Sequence, residues 1–217
     1  MTQTLRPLLG VMFVLATLSA STFPDPVKDI QAAPAGKQTA VLAGGCFWGV
    51  EAVFDRVEGV SDVVSGYAGG SRSNANYSLV SSGVTGHAES VKITYDPTRV
   101  TFGQLLKVFF AVAHDPTELN RQGPDVGTQY RSSIFYAGDE QKAVAEAYIR
   151  QLNDAKIFAR PIVTAVVPLA GFYAAEDYHQ DFLDRNRSHP YIVTNDLPKI
   201  RQLKAEFPGM AKPGKRY

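Results

Sequence analysis

At 217 residues the chain is long enough for one large domain or two small ones with a substantial core. Its 45% hydrophobic and 20% charged composition is that of a soluble globular protein, and a formal net charge of +1 argues against a nucleic-acid binder or a polyanion partner. A neutral substrate is expected.

The N-terminus departs from this composition. Arg6 is the only charge before Asp25, and Leu8 to Ala20 is nearly continuous apolar sequence ending in small residues, the pattern of an export signal over 1–20 with cleavage near Ala20 or Ser21. Thirteen residues are too few to span a bilayer core, so a permanent membrane anchor is the weaker reading. Residues 21–37, rich in Pro, Ala and polar residues without a period, read as a linker.

A strand is expected at about 39–43, followed by Gly44-Gly-Cys-Phe-Trp-Gly49, where the chain's single cysteine and single tryptophan stand two residues apart. The apolar positions Phe47, Val50, Val53, Phe54 and Val57 then follow helical spacing, with Glu51, Asp55 and Arg56 expected to face water. The glycine pair therefore reads as a strand-to-helix turn that puts Cys46 in the first helical turn. Free amide N–H groups and the helix dipole there favour a thiolate and lower its pKa. A lone cysteine cannot form an internal disulfide, and an exported thiol with no structural task points to reactivity.

Gly59 to Tyr67 reads as a second strand, 68–76 as a long surface loop, and His87 to Tyr95 as a strand with one buried face, closed by Asp96-Pro97. Thr101-Phe-Gly-Gln104 has capping-box spacing ahead of a second helix. Residues 114–131 form a second long loop, 132–137 a short strand, and Asp139 caps a helix to about Lys156. A β-branched strand at 162–168 and a short helix at about 175–185 complete the core, and 196–217 read as a C-terminal tail. The order mixes hairpins with crossovers. It fits an α/β (α+β) two-layer sandwich with a mixed sheet and a split βαβ, ferredoxin-like core.

The loops carry groups that could converge on Cys46, namely Tyr77 and Glu89 around Ser82-Gly-Val-Thr-Gly-His87, and Asp125 and Tyr130 in the second loop. Taken singly each has a plain explanation, such as a solvated carboxylate, a core-edge phenol or an Asx-turn. Gly45-Cys-Phe-Trp-Gly49, Gly86-His-Ala-Glu89, Tyr95-Asp-Pro97, His114-Asp-Pro-Thr117, Gly127-Thr-Gln-Tyr-Arg-Ser132 and Ala175-Glu-Asp-Tyr-His-Gln180 occur together in that order. In this the chain resembles the A class of peptide methionine sulfoxide reductases over 38–195.

The resemblance implies a two-layer α/β sandwich and reduction of methionine S-sulfoxide, in proteins or free, as repair of oxidative damage. It implies Cys46 as the nucleophile on sulfur, Glu89 as the proton donor, and Tyr77 and Tyr130 as phenols on the sulfoxide oxygen. Phe47 and Trp48 would form an apolar wall for the S-methyl group, and Asp125 would support the network. No bound cofactor, metal or nucleic acid is implied, and a monomer is expected. The chain departs from many relatives in lacking a resolving cysteine near its C-terminus, and Ser81 stands where some members carry another. A sulfenic acid at Cys46 would have to be reduced by an external thiol such as thioredoxin, glutaredoxin or glutathione. The export signal implies a periplasmic or otherwise exported enzyme.

Three other readings compete. A cysteine hydrolase would need His87, His114 or His179 as its base. A metal site at His87-Ala-Glu89 lacks further ligands, and a binding module would use Phe47 and Trp48 as an exposed anchor.

Overall fold

The computed structural model describes residues 23–30 and 36–216, so the expected export signal lies outside the described residues. β1 (Gln38–Ala43) leads through Gly44 and Gly45 into α1 (Phe47–Asp55), then β2 (Val60–Ala68). The short α2 (Tyr77–Val80) and β3 (Ala88–Tyr95) precede α3 (Phe102–Val108), which runs on into a π-helical turn over Phe109–Ala113. A minimal hairpin of β4 (Arg121–Gln122) and β5 (Asp125–Val126) comes next, then β6 (Ser133–Tyr136) and α4 (Asp139–Asp154). β7 (Ala165–Pro168), β8 (Phe172–Ala174), α5 (Phe182–Arg185) and α6 (Leu197–Glu206) close the chain.

Six strands form one sheet in the order β7-β6-β1-β3-β2-β8. β3 lies between β1 and β2 and is antiparallel to both, which is the split βαβ arrangement expected from the element order. β6 pairs antiparallel with β1 and parallel with β7, so the sheet is mixed. The period-2 pattern of β1 divides the layers. Ala40 and Leu42 join the main core beneath the helices, whereas Val41 and Ala43 join a smaller cluster with Ala68, Ala88 and Phe135 that contains no helical residue.

Four expectations need correction. Glu51 and Arg56 are buried because a further layer that includes α5 and α6 packs against α1. The Glu51 carboxylate accepts the Asp181 N–H at 3.1 Å, and Arg56 donates to Asp184, to Ala52 O and to Arg216 O. The segment read as a tail supplies part of that layer. α6 starts with Pro at its first turn and buries Ile200 and Leu203, and the strand-like bridge Val57–Ala211 pins the chain beyond the helix against the end of α1.

The expected helix at 175–185 is instead a 3-10 turn (Asp177–His179) and the short α5, separated by Asp181 at φ 50. The linker also makes specific contacts where it is described. The Asp29 carboxylate accepts from Gly103 N and Thr101 Oγ1 at the start of α3, beside the expected Thr101/Gln104 capping box, and Asp25 pairs with Lys107. Smaller differences have local causes. Gly138 rather than Asp139 is the N-cap of α4, and residues before Ala165 leave the sheet, where Val163 N bonds Pro116 O.

Candidate active site

β1 delivers the chain to the site and Gly45 turns it at φ 91, a left-handed conformation that favours glycine. Cys46 is then the N-cap of α1, within reach of the Trp48 N–H. That amide lowers the thiol's pKa as the sequence suggested, but it does not prevail. With only 8% of its surface exposed, Cys46 is pushed well above the ordinary thiol value by burial first, then by the charges of Glu89 and Asp196. The resting group is a thiol.

Glu89 comes from β3 and lies opposite Tyr67 in the ladder. It is 2% exposed, accepts the Phe47 N–H at 3.1 Å and receives a hydrogen bond from Cys46. Burial raises its pKa to about 8, against the two hydrogen bonds that favour the anion. A carboxylic acid that stays protonated at neutral pH therefore faces the only sulfur nucleophile in the chain.

The two long loops join above this pair. Thr128 Oγ1 donates to Gly83 O, Gln129 Nε2 to Ser81 O, and the Arg131 guanidinium to the carbonyls of Gly86 and His87. The joined loops bring Tyr130, on the 3-10 turn Thr128–Tyr130, and Tyr77, at the start of α2, into the fields of both Glu89 and Cys46. Burial and those charges raise both phenols, so each remains an O–H donor. Asp125 is half-buried on β5 and accepts from the Tyr191 hydroxyl. It acts on the thiol through space.

Phe47 is buried, and Trp48 stands at the edge of the site. The indole stacks on Phe182 at 3.7 Å between ring centres, meets Tyr191 edge-on at 5.9 Å, and donates from Nε1 to His179 Nδ1 at 3.1 Å. Thus all seven expected residues, Cys46, Glu89, Tyr77, Tyr130, Asp125, Phe47 and Trp48, lie in one connected neighbourhood.

Four supporting residues were not singled out from sequence. Glu176 accepts from Tyr77 N and from the Tyr67 hydroxyl; Phe182 comes from the stretch read as a short helix at 175–185, Asp196 from the start of the segment read as a tail, and Tyr191 from between the two. The motif Ala175 to Gln180 did mark Glu176 and His179, without indicating what they touch.

The histidines are otherwise engaged. His114 bonds Phe109 O and Ser132 Oγ, and burial drops its pKa to about 3. His87 bonds Ser71 O and accepts from Gly70 N, and His179 Nδ1 serves Trp48. Among the described residues no group of three His, Cys, Asp or Glu side chains could hold a metal ion.

A buried thiol at a helix N-terminus, facing a neutral carboxylic acid and two phenols, has the make-up of a cysteine enzyme in which a sulfur nucleophile works beside proton donors. A family model described as peptide methionine sulfoxide reductase matches residues 38–210, which includes α6. A relative named peptide methionine sulfoxide reductase MsrA 2 from Mesorhizobium japonicum is 59% identical over 84% of this chain and 93% of its own. One of the same name from Synechocystis is 50% identical over 92% and 96%.

Among solved structures, reduced Mxr1 from Saccharomyces cerevisiae superposes with a TM-score of 0.64 at 36% identity, covering 74% of this chain and 91% of its own. Methionine sulfoxide reductase A of Corynebacterium diphtheriae gives 0.61 at 38% identity, with 76% and 84% covered. The chain belongs to the peptide methionine sulfoxide reductase family.

Proposed function

We propose that the protein reduces methionine S-sulfoxide, in oxidised proteins and as the free amino acid, to methionine. The observation that carries this reading is the Glu89 carboxyl, kept neutral to about pH 8 and bonded both to the α1 amide of Phe47 and to the Cys46 thiol. Sulfoxide oxygen is a poor leaving group, so attack on sulfur needs a proton delivered to that oxygen. Glu89 supplies it and takes up the thiol proton as Cys46 attacks. A proton thus passes from sulfur through the carboxyl to oxygen, without a free thiolate persisting in the substrate-free site.

Tyr77 and Tyr130 donate hydrogen bonds to the same oxygen, and these strengthen as negative charge develops on it. Phe47 and Trp48 receive the S-methyl group, while Asp125, held by Tyr191, supports the network. In the first half-reaction Cys46 Sγ bonds to the sulfoxide sulfur and the oxygen is protonated; the oxygen then passes to Cys46 Sγ as the sulfur–sulfur bond and the methionine S–O bond break, leaving methionine and Cys46 sulfenic acid. An external thiol then attacks that sulfur and releases water, giving a mixed disulfide. A second thiol restores Cys46 and carries away the disulfide.

Cys46 is the chain's only cysteine, so both thiols come from outside. A thioredoxin-like protein, a glutaredoxin or a glutathione-type thiol fits this requirement. The apolar run Leu8 to Ala20 supports work in an exported, periplasmic compartment. Separated epimers of a methionine sulfoxide peptide, assayed with dithiothreitol, test the reading. Consumption of the S epimer alone is expected; equal consumption of both, or of neither, would overturn it.

A further inference from the structure

The second glycine of the Gly45-Cys-Phe-Trp-Gly49 motif leaves room for something the mechanism above does not use. A Cβ on Gly49, in the first turn of α1, would overlap the Asp196 carboxylate and stand 2.9 Å from Lys199 Nζ. Asp196 ends the π-helical turn Ile192–Asp196, its side chain is 0% exposed, and its Oδ1 lies 3.2 Å from Lys199 Nζ. Its Oδ2 has no hydrogen-bond partner. A fully buried, half-satisfied carboxylate is costly, and here it is pressed against the helix end whose dipole favours an anion.

The groups facing Cys46 can be separated by what they do. Glu89 from β3 is the proton carrier, Tyr77 and Tyr130 are neutral donors, and Asp125 on β5 is engaged by Tyr191. Burial raises the pKa of Asp196, the paired Lys199 opposes that rise, and the charge of Asp196 bears on Cys46 and on Tyr191. Lys199, on α6, is the cation paired with it, and Lys199 also bears on His114 behind Gly44.

We propose that Asp196 and Lys199 form a positioning pair of opposing charges that sets how readily Cys46 ionises, with Asp196 holding the thiol neutral and Lys199 limiting that effect. The assignment rests on the reading of Cys46 as the reacting thiol. In a chain with no second cysteine it has a clear use. A thiol kept neutral until substrate and acid are in place reacts slowly with stray oxidants, and no resolving thiol is available to rescue it.

The test measures alkylation of Cys46 by iodoacetamide against pH, which needs no sulfoxide turnover and reports one thiol because the chain has one. Asp196→Asn keeps the shape that fits against Gly49 and removes the charge. It should lower the ionisation midpoint by about half to one pH unit and speed alkylation below it about 3- to 10-fold. Lys199→Met should move the midpoint the other way. Damage to packing would shift both variants in the same direction, so opposite signs support the pair, whereas shifts of one sign, or no shift in Asp196→Asn, overturn it. If Asp196→Asn fails to fold, Lys199→Met decides alone, with slower alkylation supporting the proposal and unchanged or faster alkylation refuting it.

Discussion

Replacing Glu89 with Gln probes the proton path with little change of shape. The amide oxygen can still accept the Phe47 N–H, and the side chain stays as buried as the acid it replaces. What is lost is a group that can both take a proton and give one. Proton transfer by a positioned acid is worth about 10²- to 10⁴-fold in rate, or about 3–5 kcal/mol of barrier. Single-turnover formation of methionine in Glu89→Gln should therefore slow by that factor, with substrate binding nearly unchanged.

The pH profile gives a second handle with a definite sign. With a pKa of about 8, the neutral form of Glu89 falls from about nine-tenths at about pH 7 to about one-tenth at about pH 9, so wild-type turnover should fall about tenfold across that window. The fall should be absent from the residual activity of Glu89→Gln. Retention of the wild-type rate, or of the same decline with pH, would refute the role assigned to this carboxyl.

The packing around the site has further measurable consequences. Leu203→Ala, at a fully buried position on α6, should cost about 2–5 kcal/mol in denaturant unfolding, whereas a free tail would show no effect. Glu51, like Glu89, has its folded pKa raised to about 8, so its stabilising share is complete below its unfolded value near 4.5 and is lost as pH rises through about 8. Unfolding measured across that range should show stability declining with pH, with a shallower slope in Glu51→Gln; an unchanged slope would contradict the burial argument. Tyr191→Phe leaves the Asp125 carboxylate without its phenol donor, and should raise KM for the sulfoxide more than Leu203→Ala does at matched fold.

Local chemistry explains what the sequence made legible. Gly44-Gly45 between an apolar strand and an amphipathic run announced the turn that presents Cys46, and Thr101 with Gln104 announced the cap of α3, because both are decided within a few residues. The burial of Glu51 and Arg56 was hidden, since it depends on Asp181, Asp184 and the residues after Met210, more than a hundred positions away. α6 was obscured by its Lys, Arg and Pro content, although Ile200, Leu203 and Phe207 are spaced to line one buried face.

The thiol's ionisation was the property least legible in the sequence. A helix N-terminus does lower it through the Trp48 N–H, but enclosure beside Glu89 and Asp196 is a tertiary property, and enclosure prevails. β8, three residues long, has too little sequence to carry a period at all.

The central claim is that one cysteine performs the chemistry and needs an outside thiol to recover. The direct measurement is the amount of methionine released per enzyme from a methionine S-sulfoxide peptide without any thiol, together with the mass of the Cys46 peptide after dimedone trapping. About one methionine per enzyme, a dimedone adduct on Cys46, and renewed turnover when dithiothreitol is added are expected. Continued turnover without thiol, or product formation by Cys46→Ser, would contradict the claim.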